Sequence, residues 1–210
     1  MFTMNQQWKN LISHDTHKIS LGNVEILVND GVFTFDSNLT YSTTQTLNFL
    51  KTLDLRNKKI LDIGCGTGII GISCLLNGAE KVTFSDVNQQ AIENTLLNLE
   101  NNNLLDKSEV INSDLFEKIH NKFDFIFANL PIANEIWLPK INKRTETLLE
   151  KFLEKVPTFM NKNGKVIFNW ASFASLQELK NILEKFNYQY KLFEEKKLGH
   201  DWYIIEIQFN

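Results

Sequence analysis

The 210-residue chain has only two cysteines and three prolines. Cys65 and Cys74 do not have the spacing of a metal knuckle and cannot form a disulfide framework, so a reduced, cytoplasmic setting is expected. No stretch approaches the ~20 apolar residues that cross a bilayer, so no membrane partner is expected. The segment from Met1 to Trp8 lacks the charged-then-apolar order of a signal peptide. Positive charge is also short: the net charge is −3 and the pI about 5.8, which excludes broad, sequence-independent nucleic-acid binding but leaves room for a local basic patch. His14, Asp15 and His17 have no third ligand nearby, so no metal site is read there. No Pro- or Gly-rich linker divides the chain, and its 43% apolar and 22% charged residues are those of a globular protein with a well-buried core.

The glycines that are present are concentrated. Lys59-Ile60-Leu61-Asp62-Ile63 reads as a strand, and it runs into Gly64-Cys65-Gly66-Thr67-Gly68, then into the apolar segment Ile69-Ile70-Gly71. Alternate glycines permit positive φ and let a ligand approach closer than a Cβ allows. A strand, such a loop and then a helix make a cradle at the carboxyl edge of a parallel sheet, helped by free helix N–H groups. The residues therefore predict a site for an adenosine-containing cofactor.

Strands and helices alternate on both sides of this run. Expected strands are Lys81 to Asp86, Glu109 to Asn112, Phe123 to Ala128 and Lys165 to Asn169, separated by helices over Gln89 to Leu99, Glu146 to Val156 and Leu176 to Phe186. A closing pair, Tyr188 to Phe193 and Trp202 to Phe209, has no helix between its members, which predicts one antiparallel strand near an edge. The expected fold is α/β: a Rossmann-like, doubly wound, mostly parallel seven-stranded sheet. Residues 1–36 are expected to form an N-terminal β extension, with a short helix around Trp8, Leu11 and Ile12, a hairpin turning at Gly22-Asn23, and a strand at Val32 to Phe35. Residues 37–210 form the main domain, which opens with a helix from Ser42 that Thr43 or Thr44 could cap.

Gly66-Thr67-Gly68-Ile69-Ile70-Gly71 also matches the dinucleotide pattern Gly-x-Gly-x-x-Gly, so NAD is an alternative cofactor. The register opposes it. Counted from the strand end, the first two glycines are Gly64 and Gly66, and the third should fall at Ile69. Asp86, about twenty residues past the loop, can accept hydrogen bonds from both ribose hydroxyls in either reading.

The block Leu61-Asp62-Ile63-Gly64-Cys65-Gly66-Thr67-Gly68 resembles motif I of class I methyltransferases, and Ala128-Asn129-Leu130-Pro131-Ile132 resembles the Asn-Pro-Pro-aromatic motif of those acting on planar nitrogens. The resemblance implies S-adenosyl-L-methionine (SAM) as cofactor, held by Asp62, Gly64, Cys65, Gly66 and Gly68, with Asp86 and Val87 at the ribose. It implies that Asp114, beside Leu115, meets the adenine amino group, and that Asn129 and Thr43 lie near the methionine part. Phe33-Thr34-Phe35-Asp36-Ser37 resembles the entry of the small methyltransferase domain of ribosomal RNA guanine and release-factor glutamine methyltransferases. Thr40-Tyr41-Ser42-Thr43-Thr44 and Gly78-Ala79-Glu80-Lys81-Val82 are more similar to ribosomal protein L11 methyltransferase.

Methyl transfer from a sulfonium needs the acceptor lone pair placed in line and water excluded. The Asn129 side-chain carbonyl and the Leu130 main-chain carbonyl, held by Pro131, suit that task because both accept from an acceptor NH₂ and steady its developing charge. Two departures from the family pattern stand out: Leu130 replaces the first Pro, and Ile132 replaces the aromatic that stacks on a flat acceptor. Trp137 could supply a ring, and Lys140, Lys143 and Arg144 could attract phosphate or an acidic peptide. The expected activity is N-methylation of a protein side chain. RNA or DNA base methylation is the alternative, followed by small-molecule N-methylation. A different class would be an NAD-dependent oxidoreductase or a non-catalytic nucleotide-binding subunit. Nothing in the sequence bears on oligomeric state.

Overall fold

A computed structural model describes residues 11–21, 24–35, 40–131 and 144–209, with the backbone alone at 144–147. Seven strands form one sheet: β3 (Lys59–Ile63), β4 (Lys81–Asp86), β5 (Ser108–Asn112), β6 (Phe123–Ala128), β7 (Met160–Ala171), β8 (Tyr190–Lys197) and β9 (His200–Gln208). Their order is β5-β4-β3-β6-β7-β9-β8, and every pair from β5 to β7 is parallel. β9 alone runs in reverse, between β7 and β8. The chain order turns back at β3, so the chain leaving β3 and the chain leaving β6 run to helices on opposite faces and leave a crevice at their carboxyl ends, as open α/β sheets do.

The inner strands β3, β4, β6, β7 and β9 are largely buried on both faces, so they read as apolar runs, whereas the edge strands β5 and β8 are half-buried or exposed. Leu61, Ile63, Ile126, Val166 and Phe168 face α4 (Arg144–Lys155) and α5 (Leu176–Lys185) through Phe152, Leu153, Leu179 and Leu183. Ile60, Phe125, Phe127, Ile167 and Ile204 face the other way, toward α1 (Ser42–Leu50), α2 (Ile69–Leu76) and α3 (Gln89–Asn101). Most expected elements fall where the sequence puts them. β7 is longer than expected because the turn at Asn163 (φ +61°) and Gly164 lies within it.

β1 (His17–Leu21) and β2 (Val24–Val28) form a separate antiparallel hairpin whose register, from His17↔Val28 to Leu21↔Val24, requires a two-residue connection. The expected turn residues, Gly22 and Asn23, and Trp8 of the expected N-terminal helix lie outside the described residues. Val24, Ile26 and Val28 point into the core under α3, and Leu11 is buried within a turn. The expected strand at Val32 to Phe35 does not form. Its backbone bonds run to turns and not to a strand: Thr34 N–H donates to the Leu11 carbonyl, Val32 N–H turns back to the Asn29 carbonyl, and Gly31 N–H just before it donates to the Ile12 carbonyl. Histidines take part of the remaining polar capacity: His14 Nε2 lies 2.9 Å from the Val32 carbonyl, and His17 Nε2 lies 3.2 Å from Thr34 Oγ1.

What fixes the hairpin is an asparagine ladder on α3. Asn94, Asn98 and Asn102 recur every four residues and so share one helix face. Asn98 accepts from Leu27 N–H at 2.8 Å and donates to the Leu27 carbonyl at 2.8 Å and the Thr67 carbonyl at 2.9 Å. Asn94 accepts from Asn29 N–H and donates to the Leu27 carbonyl, and Asn102 reaches the Glu25 carbonyl. These amides satisfy the edge of β2 as another strand would, and Asn98 also ties it to the glycine loop. Asn98→Ala takes the partner from Leu27 N–H and the Thr67 carbonyl, while the Leu27 carbonyl keeps Asn94, and roughly 2–4 kcal/mol of stability should be lost. Urea denaturation should show that loss, and hydrogen exchange at residues 24–29 should accelerate. Unchanged exchange in the variant would mean the hairpin is held by its apolar face alone.

Candidate active site

The crevice at the carboxyl ends of β3 and β6 is a cleft of about 350 Å³. Its floor is the glycine turn. Gly64 N–H and Cys65 N–H both donate to the Ser85 carbonyl, at 2.8 and 3.0 Å, and Gly66 N–H donates to Asp86 Oδ2 at 3.0 Å. The chain can fold back against β4 in this way because Gly64 and Gly66 have φ of +72° and +57°. A Cβ built on Gly66 would meet no protein atom within 4 Å, so this position faces open cleft, as close approach by a ligand requires. Gly71 does different work: a Cβ there would collide with the Phe84 ring, so it permits close packing of helix on strand.

Asp62 lies below the turn. Its Oδ2 accepts from Gly71 N–H at 2.9 Å, and its buried Oδ1 has no partner. Burial raises its pKa to about 7, opposed by the Gly71 bond and reinforced by the Asp86 charge. Asp86 Oδ1 accepts from Asn88 N–H at 2.9 Å, and burial raises its pKa against the backbone bonds it accepts. Cys65 is buried beside Thr95, and burial pushes its thiol up, so it is a packing residue of the loop and not a nucleophile.

Beyond Asp86, Val87 is 70% exposed and lines the cleft together with Asp114 and Leu115. Leu115 has φ +47°, uncommon for a leucine, and the Ser113 hydroxyl stabilises the bend by donating to its carbonyl and accepting from Lys118 N–H. The cleft thus has an acid-and-apolar end that matches an adenosine, although no sequence signal marked Ser113.

Asn129, Leu130 and Pro131 form the opposite wall at the end of β6. Leu130 packs so close to the turn that a Cβ on Gly64 would lie 2.9 Å from its Cδ2. Asn129 Nδ2 donates to Thr43 Oγ1 at 3.0 Å. Thr43 was expected either as a cap or at the cofactor. The N-cap position is Tyr41, which makes no side-chain cap bond, so Thr43 is an interior helical residue that lines the cleft, and Thr44 does not reach it. Sequence reasoning missed Phe173 and Trp202, which also line the cleft with ring centroids 5.6 Å apart. They come from the segment after β7 and from β9, far from any motif. Phe168 and Trp170 lie in the core beneath Leu130 and Pro131, lining a smaller void. Ile132, Trp137, Lys140 and Lys143 fall outside the described residues, as do the side-chain surroundings of Arg144. Among the described residues no cluster of metal-ligating side chains occurs, and no helix is long and apolar enough to cross a membrane.

A doubly wound sheet with one reversed strand, a glycine cradle at its switch point and an Asn-x-Pro turn facing that cradle is the arrangement of a class I methyltransferase, an enzyme that uses SAM. The chain belongs to the methyltransferase small domain family, whose model matches residues 23–199. It is 30% identical over 171 residues to a Methanocaldococcus jannaschii protein provisionally named protein N5-glutamine methyltransferase, covering 73% of this chain and 86% of that one. It is 31% identical to ribosomal protein L11 methyltransferase of Thermosipho melanesiensis, over 87% of this chain and 69% of the relative. It is 29% identical to ribosomal RNA small subunit methyltransferase C of Hamiltonella defensa, spanning 86% of this chain but only 48% of that protein. The fold is similar to that of the L11 methylase from Lactobacillus delbrueckii, with TM-score 0.67 at 19% identity, covering 90% of this chain and 97% of that one. It is also similar to a T. thermophilus 16S rRNA methyltransferase solved with AdoMet and guanosine, with TM-score 0.70 at 17% identity, covering 93% and 50%. The NAD reading is thereby set aside.

Two outcomes test this site. Gly66→Ala puts a methyl group into the open cradle at positive φ, at a backbone cost of about 1–2 kcal/mol. Calorimetric titration should show SAM affinity falling by about tenfold or more; unchanged affinity would mean the turn does not hold the cofactor. The raised pKa of Asp62 has a defined sign. Between about pH 4, where an unfolded aspartate ionises, and about pH 7, where Asp62 ionises in the fold, the unfolded state binds fewer protons, so stability falls as pH rises. The melting temperature of Asp62→Asn relative to the parent should therefore rise between pH 5 and pH 8. A pH-independent difference would show that Asp62 is ionised throughout.

Proposed function

We propose that this methyltransferase transfers the methyl group to a nitrogen on a protein side chain. The observation that carries the reading is the placement of Asn129 on the wall of the cofactor cleft, at the carboxyl end of β6, with the Leu130 carbonyl following it. SAM, when bound, supplies an already activated methyl on a sulfonium. The chain has to bring a planar nitrogen to it, and two carbonyl oxygens side by side accept hydrogen bonds from an amide or amine NH₂. That pair fixes the acceptor plane and favours the partial positive charge that the nitrogen acquires. Leu130, Leu148, Phe173 and Trp202 surround the approach with apolar surface, which keeps water from the reacting centre.

In the same reading, Gly64, Cys65, Gly66 and Gly68 cradle the cofactor, Asp86 accepts from its ribose hydroxyls, and Asp114 meets its adenine. Val87 and Leu115 flank the ring with apolar surface, Asp62 braces the turn from below, and Thr43 stands near the methionine part. A net charge of −3 supports a protein acceptor over an extended RNA surface. So does similarity over most of both chains to a protein named for glutamine methylation. A base nitrogen is the second reading, favoured by Phe173 and Trp202, whose rings stand in the cleft where a flat base could stack.

Tritiated SAM incubated with the enzyme and bacterial ribosomes or proteome fractions tests both. Label that survives nuclease but not protease is expected; label that survives protease and is lost to nuclease would overturn the protein acceptor. Asn129→Ala should reduce turnover about 100-fold or more with SAM affinity kept within twofold. Full turnover in that variant would remove Asn129 from the chemistry.

A further inference from the structure

We propose that Thr43 is the positioning residue that anchors the Asn129 carboxamide at the cleft wall, an inference that rests on the acceptor role given to Asn129 above. A carboxamide has two chemically different ends, and only its oxygen can accept from an acceptor NH₂. A half-turn about the last side-chain bond would present N–H donors to the acceptor and repel it. The site therefore needs the carboxamide anchored with its oxygen end toward the acceptor. Thr43 Oγ1 lies 3.0 Å from Asn129 Nδ2 and accepts from it; the bond anchors the carboxamide to α1 and, in the arrangement seen, leaves the oxygen end for the acceptor, although a hydroxyl that can also donate does not choose the end by itself.

That arrangement works only if Thr43 cannot follow the carboxamide, and the packing of α1 ensures this. Thr43 is 3% exposed. The residue before it, Ser42, accepts from Asn169 Nδ2 through its carbonyl at 3.2 Å. Asn169 Oδ1 in turn accepts from Thr46 Oγ1 at 2.8 Å, and Gln45 Nε2 donates to the Trp202 carbonyl at 3.1 Å. The first turn of α1 is thus bonded to β7 and β9, while its Thr43 reaches β6. Because the cap position is Tyr41, the hydroxyl of Thr43 is not needed to end the helix. The buried polar face of α1, unusual for a helix packed on a sheet, is explained as the frame that carries this one contact.

The experiment compares Thr43→Val, which keeps the shape and removes the hydroxyl, with Thr43→Ser, which keeps the hydroxyl. Asparagine-selective ¹⁵N labelling reads the Asn129 side-chain NH₂ directly, its signals assigned by their loss in Asn129→Ala. In the parent and in Thr43→Ser these protons should exchange slowly with solvent; in Thr43→Val exchange should be at least about tenfold faster. With tritiated SAM and bacterial ribosomes, Thr43→Val should lower kcat by about tenfold or more, and Thr43→Ser should restore it. Unchanged NH₂ exchange in Thr43→Val overturns the proposal, as does full kcat in Thr43→Val beside an inactive Asn129→Ala. Full turnover in Asn129→Ala is a separate failure, that of the acceptor reading, and takes this proposal down with it.

Discussion

Everything at the site depends on how the chain leaves β3. Three successive amides, those of Gly64, Cys65 and Gly66, turn toward the end of β4 and bond to the Ser85 carbonyl and the Asp86 carboxylate. A strand that simply continued would point these groups at solvent and close the crevice. Bent in this way, the loop leaves its other side open, and α2 begins directly after it at Ile69, with Gly71 N–H of its first turn bonded to Asp62. The same bonds place Asp86, which holds the loop through one oxygen and Asn88 through the other, at a fixed height above the floor. One carboxylate therefore shapes the cradle and presents remaining lone pairs to whatever lies in it.

Around this turn the protein uses polar contacts where apolar packing alone would leave the geometry loose. The asparagine ladder of α3 bonds β2 on one side and the Thr67 carbonyl on the other. The first turn of α1 bonds β6, β7 and β9. Apolar burial is non-directional and tolerates sliding, whereas a buried amide left without its partners costs about 1–3 kcal/mol. The two seams stand on opposite flanks of the cleft, and each joins a peripheral element to a strand end or loop that lines it. Stability comes mainly from the sheet core, and register at the cleft comes from these side chains.

Much of this was legible in the sequence because it is local. The strand into Gly64, the helix from Ile69 and the acid closing β4 each follow from a few adjacent residues, and the apolar run at Phe123 to Ala128 fixes the buried strand. The expected strand at Val32 to Phe35 failed because apolar and β-branched residues make a strand only where a partner edge exists, and what meets it at Leu11 and Ile12 is a turn. The role of Thr43 was hidden for a different reason. A threonine at a helix start reads as a cap, and nothing within ten residues indicates that its hydroxyl meets an asparagine 86 positions further on. Leu115 was named for the site, but its bend and the role of Ser113 were illegible, since a leucine at positive φ contradicts its local preference and is held there by one hydroxyl.

The aromatic question changes once the sheet is closed. Ile132 in place of an aromatic suggested a site deprived of its stacking surface, because in the sequence that position is the only one adjacent to Pro131. The reversal of β9 alters the geometry: it brings Trp202 beside Ala171 at the end of β7, and Phe173 follows directly after that end. Trp202 is itself pinned, its indole N–H donating to the Lys197 carbonyl at 2.9 Å and its main-chain carbonyl accepting from Gln45. A ring held at both its edge and its backbone is a rigid wall, where a ring on the loop after Pro131 would depend on how that loop lies. The cleft is thus lined by Asn129 and Leu130 just after β6 and by aromatic surface from β9, which is what the proposed flat acceptor nitrogen would use. What the Asn-x-Pro turn lacks in its own sequence, the antiparallel strand supplies from some seventy residues away.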